Sequence, residues 1–480
     1  MLVWSAIENG GLTIVSFLAL VVYSRCLSPS DFGLFSIVIA IVEMVGLFVS
    51  MTFHDALVQR PDANERHFDS AFTFTLVLSV FLFLGCVAYG PHFARQVGNP
   101  IASPVLILTA LTFPCTAVTA TIVPWQRRHF QFRPLAIRSL VGRLSGAAIG
   151  LVFVALGFHI WALVAQQVLI ALVRSLVLWF TADELPRLRF FPREFRSLIR
   201  FSLYSISGLF VTFAISRLFT VLVGMRIGTK SAGYLNLGFR TLDMLWGLAS
   251  TTVLQVALPV LARLQSEPER LRRAYMVALE FICIILYPCF VGIAIVAPEI
   301  IEIMFGPSWL AASPYMSELA LIILVRAPKQ LGPPVLTAVG QPQYTLIANI
   351  VELAVMLALI AITGARTLPI AIGIWAAREL LPLPLIGYVV RSASGIGYMD
   401  QIRGTITPLL ASAAMGGAAW VMRSLVPLGP SSWARLFAIV PVCGVTYVVA
   451  AWLINRKSII DVYSFARSTF ATRAKPLTSQ

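Results

Sequence analysis

Long apolar runs dominate this chain. Each is about 20 residues, the length an α-helix needs to cross a hydrocarbon core of about 30 Å, and they recur from one end to the other. Short alternating segments, the mark of a transmembrane β-barrel, are not seen. The pattern predicts an all-α polytopic membrane protein with about fourteen transmembrane helices. They fall near residues 2–25, 33–53, 68–90, 102–124, 138–157, 160–182, 199–224, 234–262, 274–298, 314–340, 343–363, 367–390, 405–426 and 435–454. The first run is too long for a signal peptide and lacks a small-residue cleavage site, so it reads as a mature helix.

Composition agrees. The 480 residues are 58% hydrophobic and 12% charged, with a mean hydropathy of +0.86, where a soluble domain carries about 25% charged residues. Charge then sets orientation. With fourteen spans, one side takes twenty-two Arg and Lys, from Arg60 and Arg66 through Arg187–Arg200 to the tail's Arg456, Lys457, Arg467, Arg473 and Lys475; the other side takes seven. The positive-inside rule places both termini in the cytoplasm. The net charge of +15 is therefore largely topogenic and faces anionic headgroups, and nucleic acid is not an expected partner. Six scattered cysteines form no CxxC pair, so they read as isolated thiols rather than disulfides or metal ligands. No cofactor or metal motif is present, and Gly228–Ser231 lacks the glycine-rich lead of a P-loop.

An internal repeat is legible. "LSPSDFGLF" (Leu27–Phe35) and "GTKSAGYLN" (Gly228–Asn236) each place a serine shortly before a glycine as a helix restarts. "VPWQRRHFQFRPLAI" and "LTAVGQPQYTLIANI" give a looser echo between helices 4–5 and 10–11. An offset of six helices keeps both copies in one orientation, which predicts parallel repeats with a substrate path between the halves. The expected organisation is a first lobe over 1–182 (helices 1–6), a basic cytoplasmic linker at 183–198 and a second lobe over 199–391 (helices 7–12). Helices 13–14 follow over 392–455, then a basic cytoplasmic tail over 456–480.

Subtracting loop charges leaves ionisable residues inside the spans. The cations are Arg143, Arg174, Arg217, Arg240, Arg326, Lys329 and Arg378; the acids are Glu8, Glu43, Asp243, Glu280, Glu318, Glu352 and Glu379. Arg143 and Glu280 lie close enough to a helix end to snorkel, and Glu318 is near the outer end of helix 10. A charge at the bilayer centre costs about 2.5–3.5 kcal/mol on insertion scales and faces a bundle interior or a wet cavity. Arg326 and Lys329 share a helix face at i, i+3. Pro328 and Pro333–Pro334 should kink that helix, which is tolerated where backbone lines a cavity. Arg174, Arg217, Arg326, Lys329 and Arg378 are thus candidates for an anion path, because cations outnumber plausible deep acids in the second half. Arg240 and Asp243 stand at i, i+3 and can neutralise one another; Arg378 and Glu379 are adjacent and should point to different faces. Glu43 and Asp243 are candidate coupling groups, and Glu43 can alternatively pair with Arg217.

Several stretches resemble a known family. "WSAIEN" (Trp4–Asn9), "SRCLSPSDFGLFSIV" (Ser24–Val38), "ALVQR" (Ala56–Arg60), "LPVLARLQSEPERLRRAY" (Leu258–Tyr275), "MFGPSWLAASPYM" (Met304–Met316) and "TAVGQP" (Thr337–Pro342) are similar to the polysaccharide-transporter branch of the multidrug/oligosaccharidyl-lipid/polysaccharide exporter superfamily. The resemblance covers nearly the whole chain in order. One departure is that the chain starts almost directly at the first helix. The resemblance implies a MATE-like fold of two six-helix lobes around a central, often cationic cavity, with helices 13 and 14 added. It implies a Wzx-type flippase in the bacterial inner membrane that moves undecaprenyl-diphosphate-linked oligosaccharides for exopolysaccharide, capsule or O-antigen synthesis. Partners would be that lipid-linked oligosaccharide, membrane lipids, and polysaccharide polymerase and export proteins. Arg326, Lys329 and Arg378, with Arg217, Arg174 and Arg240, are the positions expected to meet the diphosphate, since guanidinium engages phosphate bidentately.

The alternative is a cation-coupled multidrug antiporter of the same superfamily, which would need acidic rather than cationic residues deep in the cavity. A membrane enzyme would want a sizeable extramembrane loop or a catalytic constellation, and neither is found in the sequence. A channel would want a filter-like loop.

Overall fold

The computed structural model describes residues 12–263, 267–341, 343–425 and 431–473. Glu8, the "WSAIEN" opening, Pro342 of "TAVGQP" and Lys475 lie outside the described residues. Helices α1 (Leu12–Cys26), α2 (Pro29–Ser50), α3 (His54–Gln59), α4 (Glu65–Val97), α5 (Ala102–Ala110), α6 (Thr112–Arg128), α7 (Phe132–Ala155), α8 (Ile160–Thr181), α9 (Pro192–Arg226) and α10 (Thr229–Arg263) come first. Then follow α11 (Pro268–Ile295), α12 (Ala297–Met304), α13 (Ser313–Lys329), α14 (Gly332–Ala338), α15 (Gln343–Thr363), α16 (Leu368–Leu380), α17 (Leu383–Ser394), α18 (Tyr398–Leu425) and α19 (Ser432–Arg473). Two compact units divide them. The first takes the residues up to Leu237 with Gly364–Leu368; the second takes Gly238–Thr363 and Pro369 onward.

Among the described residues, twelve helical stretches are long and apolar enough to cross a membrane, and they fall on twelve of the expected runs. The first and eighth runs are helical too, as α1 and α10. α9 begins at Pro192 rather than near 199, because proline's fixed φ and missing N–H suit a first helical turn.

Three expected spans are broken in two, and the breaks obey one rule. α5 ends at Ala110, α13 at Lys329 and α16 at Leu380, each four residues before a proline: Pro114, Pro333 and Pro384. Proline has no N–H for the carbonyl four residues back, and its ring crowds that carbonyl. Pro91, Pro124, Pro288 and Pro408 lie inside continuous helices, so one proline permits a break without enforcing it. Gly332 with Pro334, and Pro382, reinforce two of the three.

In the first unit, small residues let helices approach. Gly142, Gly146 and Gly150 recur every four residues along α7. A Cβ at Gly146 would lie 2.9 Å from the Gln166 carbonyl oxygen of α8, and one at Gly150 would lie 2.1 Å from the Tyr23 hydroxyl of α1. At one end Phe53, Leu57 and Phe68 form a buried cluster with Trp125 and Phe195 packed on it. In the second unit α11, α18 and α19 share a core of Val291, Met415, Ala419, Ile439 and Tyr447, and Tyr447 donates to the Ile284 carbonyl at 2.9 Å. Buried Glu299 receives Arg423 at 2.7 Å and Arg435 at 3.4 Å, pinning the ends of α18 and α19.

The glycines of the first sequence echo meet. α2 starts on Ser28, whose Oγ accepts the Asp31 N–H at 3.1 Å, and the start of α10 packs against it. Ser30 Oγ and Thr229 Oγ1 lie 2.8 Å apart. A Cβ on Gly33 would fall 1.7 Å from the Thr229 carbonyl oxygen, and one on Gly233 would fall 2.1 Å from that of Pro29. The second echo recurs in backbone geometry: Phe130 (φ 57°) and Gly340 (φ 76°) are both left-handed, and Gln131 and Gln341 each donate five residues back, both at 2.8 Å. Two further matches escaped the sequence reading. Gly98 and Gly306, each left-handed, precede the "ASP" runs Ala102–Pro104 and Ala312–Pro314, and left-handed Gly157 and Gly364 turn the next pair of connections.

Gly33→Ala should therefore destabilise the protein by about 2–3 kcal/mol or more, since the obstacle is backbone and cannot change rotamer. Gly85→Ala, with open space around the glycine, should be neutral or slightly stabilising. Thermal unfolding of both variants in detergent checks this; equal midpoints would remove the close contact.

Candidate functional site

Two clusters of charge lie within the spans, one in each unit. In the second unit, the helix breaks bring four ionised side chains together. Lys329 closes α13, Arg378 and Glu379 stand in the last turn of α16, and Glu352 sits midway along α15. Lys329 Nζ donates to Glu352 Oε1 and to Glu379 Oε2, each at 2.6 Å. Arg378 donates to Glu352 Oε2 at 3.2 Å and also bonds Glu379. Two cations and two anions thus close a neutral ring in which each carboxylate serves both cations. Side-chain exposure is 12% for Lys329 and 10% or less for the other three. Both cations sit at helix C-termini, where the partial negative charge of unpaired carbonyls favours them. Arg378 also lies 3.9 Å from the Trp375 ring centroid, a cation–π contact. Beside the ring, Arg326 meets Asp243 at 3.1 Å and lies 4.9 Å from the Trp246 centroid.

Three expectations change here. Arg378 and Glu379 do not turn to different faces: at the end of a terminated helix both side chains reach the same ring. Cations do not outnumber acids around Lys329 and Arg378, because Glu352 and Glu379 balance them. The Asp243 carboxylate, offered to Arg240 by the sequence, has Arg326 of α13 as a partner too.

In the first unit, α2, α6, α7 and α8 enclose a cavity of about 440 Å³. Arg127, Arg138 and Arg174 line it, with Glu43, Asp55 and Gln167 and several hydroxyls. Its carboxylates are engaged. Glu43 pairs with Arg217 at 2.5 Å, the alternative the sequence left open. Asp55 accepts His54 Nδ1–H at 3.1 Å, while His54 Nε2 accepts Arg127 Nη1–H at 3.3 Å. His54 thus bridges a carboxylate and a guanidinium. Gly142 makes room for the stem of Arg174, since a Cβ there would come 2.7 Å from Arg174 Cγ. Arg174 lies seven residues before the end of α8, or about 10 Å along the helix, and the cavity offers hydrogen bonding at that depth from guanidinium, amide and hydroxyl groups.

Of the candidates, Arg174 and Glu43 share this cavity, Arg217 is paired to Glu43, and Arg326, Lys329 and Arg378 are ion-paired in the second unit. Arg240 is on α10 and is not among the residues lining the cavity. Arg127 and Arg138 were read as topogenic because they lie near helix ends, and His54 and Asp55 were not singled out. Other arginines at those ends are structural. Arg128 donates to the carbonyls of Arg60 and Pro61 at 2.7 and 2.8 Å, and the guanidinium of Arg60 bonded to Asp62 holds that carboxyl below the usual carboxylate range.

A helical membrane protein with broken spans and a charged internal cavity is the architecture of a transporter, and comparison with solved structures agrees on the fold. The chain is similar to the lipid II flippase MurJ in an inward closed conformation, with a TM-score of 0.78 at 13% identity, covering 96% of this chain and 100% of that one. It is also similar to an inward-facing multidrug resistance MATE family transporter of the MOP superfamily, with a TM-score of 0.59 at 15% identity over 85% and 95% of the two chains. A family described as "Polysaccharide biosynthesis protein" matches residues 22–314, and the chain belongs to it. Its relatives include the succinoglycan biosynthesis transport protein ExoT of Rhizobium meliloti (strain 1021), 25% identical over 70% of this chain and 68% of that one. The teichuronic acid biosynthesis protein TuaB of Bacillus subtilis (strain 168) is 21% identical over 86% of each. The lipopolysaccharide biosynthesis protein WzxC of Escherichia coli (strain K12) is 20% identical over 68% and 66%. The polysaccharide branch of the exporter superfamily, suggested by the sequence motifs, is thereby borne out.

Removing one member of a buried, coupled set of charges leaves another uncompensated, at a cost of about 3–5 kcal/mol. Lys329→Met should destabilise by that amount, and Lys329→Met/Glu352→Gln, which restores neutrality, should recover more than half of it. Unfolding midpoints of the two single and one double variant, read as a cycle, check this; strictly additive effects would dissolve the ring as a unit.

Proposed function

We propose that the protein is a flippase that moves undecaprenyl-diphosphate-linked oligosaccharide repeat units from the cytoplasmic to the periplasmic leaflet of a bacterial inner membrane, for exopolysaccharide, capsule or O-antigen synthesis. The observation that carries the reading is the cavity lined by Arg127, Arg138 and Arg174. Three guanidiniums suit a diphosphate, which they can bind in bidentate fashion; they do not suit the cationic drugs of a multidrug antiporter. The family supports the pathway, the names of the relatives support transport, and the fold supports a lipid-linked cargo.

In this reading the chain has fourteen spans with both termini cytoplasmic, and residues 1–182 and 199–391 are parallel repeats. The matched turns at Gly33 and Gly233, Phe130 and Gly340, and Gly98 and Gly306 support that relation. Transport proceeds by alternating access, cytoplasmic opening first, with the diphosphate drawn to the arginines and the polyprenyl tail left partly in the bilayer. Arg326, Lys329 and Arg378 engage the anion only when it displaces their carboxylates. Glu43 and Asp243 are the coupling groups: protonating Glu43 would release Arg217, and protonating Asp243 would release Arg326.

The test is translocation of an undecaprenyl-diphosphate oligosaccharide in liposomes. Wild type should move it, and Arg174→Ala should lose at least about tenfold in rate, the equivalent of one charge-assisted phosphate contact. Arg326→Ala/Lys329→Ala should also lose transport. Unaffected Arg174→Ala would remove the cavity from the path, and inert wild type beside an active control flippase would overturn the function.

A further inference from the structure

Three helices of the first unit end together on the arginine-rich side: α4 begins at Glu65, α6 ends at Arg128 and α8 ends at Thr181. The connection from Ala182 to Arg187 lies against them and helps enclose a second cavity, of about 540 Å³. It shares no lining residue with the arginine-lined one, and its charge has the opposite sign. Four carboxylates, Glu65, Asp69, Asp183 and Glu184, face a single guanidinium, Arg187. Phe68, Trp125 and Trp179 supply aromatic walls, with Phe68 set edge-on to Trp125 at 4.9 Å.

Part of this charge is structural. Asp69 Oδ1 accepts the backbone N–H of Arg187 at 2.7 Å, and Asp183 Oδ2 accepts Gln131 Nε2–H at 2.6 Å. These bonds hold the connection over the cavity. They do not account for Thr121, which lines the cavity at 1% exposure while its hydroxyl finds no hydrogen-bond partner among the described residues. Buried hydroxyls are seldom left so. A built pocket with an unsatisfied hydroxyl, surplus carboxylates and aromatic faces is arranged for a cation that also donates hydrogen bonds.

We propose that this cavity binds the headgroup of an ethanolamine phospholipid. The primary ammonium sits among the carboxylates and aromatic rings, and the phosphodiester meets Arg187. Three N–H donors satisfy carboxylate and hydroxyl oxygens, which a quaternary choline cannot do. Four carboxylates repel an anionic headgroup. The cavity lies at the ends of three membrane-spanning helices, the depth of a headgroup. Leu176 and Phe180, one turn apart on the last turns of α8 and both exposed, continue from Trp179 as an apolar track for an acyl chain. The site is independent of what the protein transports.

Native mass spectrometry of the full-length protein in detergent, titrated with single lipids, reads the site directly. Phosphatidylethanolamine should remain bound where phosphatidylglycerol and phosphatidylcholine do not. Glu184→Gln and Arg187→Gln alter exposed side chains and should leave the unfolding midpoint unchanged, yet each should weaken retention by on the order of tenfold, the loss of one charge-assisted hydrogen bond. Thr121→Val should weaken it less. Equal retention of the three lipids, or unchanged retention in the Glu184 and Arg187 variants, would overturn the site. Binding of spermidine with no retention of phosphatidylethanolamine would also overturn it, in favour of a free polyamine.

Discussion

A charge at bilayer depth is costly unless it is paired or faces a wet cavity. That requirement organises the second unit. Lys329, Glu352, Arg378 and Glu379 form a set in which no member can be removed alone without leaving an imbalance. The helices meet the same requirement through their backbones. Breaking α13 at Lys329 and α16 at Leu380 frees carbonyls, which would be costly in hydrocarbon, but the freed ends are next to an ammonium and a guanidinium. Proline four residues on, helix end and cation are one device in each case: Pro333 with Lys329, and Pro384 with Arg378. The breaks make the ring possible, and the ring makes the breaks tolerable.

The first unit handles its charge differently. Three arginines line its cavity, and its acids are engaged in a pair (Glu43 with Arg217) and a relay (Asp55, His54, Arg127). Similar turns thus carry dissimilar chemistry. Left-handed residues at matching connections, and glycines that bring the starts of α2 and α10 within backbone contact, set where helices begin. They leave the side chains between them free to diverge. A scaffold can hold one half as a neutral ring and the other as a cationic cavity because turn geometry and span charge are encoded by different residues.

This separation also explains what could be read before the structure. Span positions follow from apolar run length, and the kink near Pro333 follows from the absence of an N–H; both are local properties. Gly33 and Gly233 could be matched because a close backbone approach admits no other residue. Partner choice is not local. Nothing near Glu379 in the chain says that its carboxylate turns toward Lys329, fifty residues away, rather than away from Arg378, and nothing near Asp243 announces Arg326. Arg127 and Arg138 were misread for a related reason: residues near helix ends can reach out to the surface or inward, and only the packing of α2, α6, α7 and α8 sends these two inward.

The contrast between the units bears on how an anion would be handled. In the first cavity a diphosphate meets guanidiniums without first displacing Glu352 or Glu379, so electrostatic attraction there is not set against loss of the ring. Reaching Lys329 or Arg378 requires a phosphate oxygen to replace a carboxylate oxygen now at hydrogen-bond distance, an exchange of near-equals in which little net energy is gained. Such an exchange is poorly suited to capture but well suited to release, because an anion bound by displacement is under continuous competition from the carboxylate tethered beside it. Under the proposed function, capture suits the arginine-lined cavity and release suits the self-neutralised ring, while the net direction of transport is set by the gradient or coupling rather than by the difference in affinity.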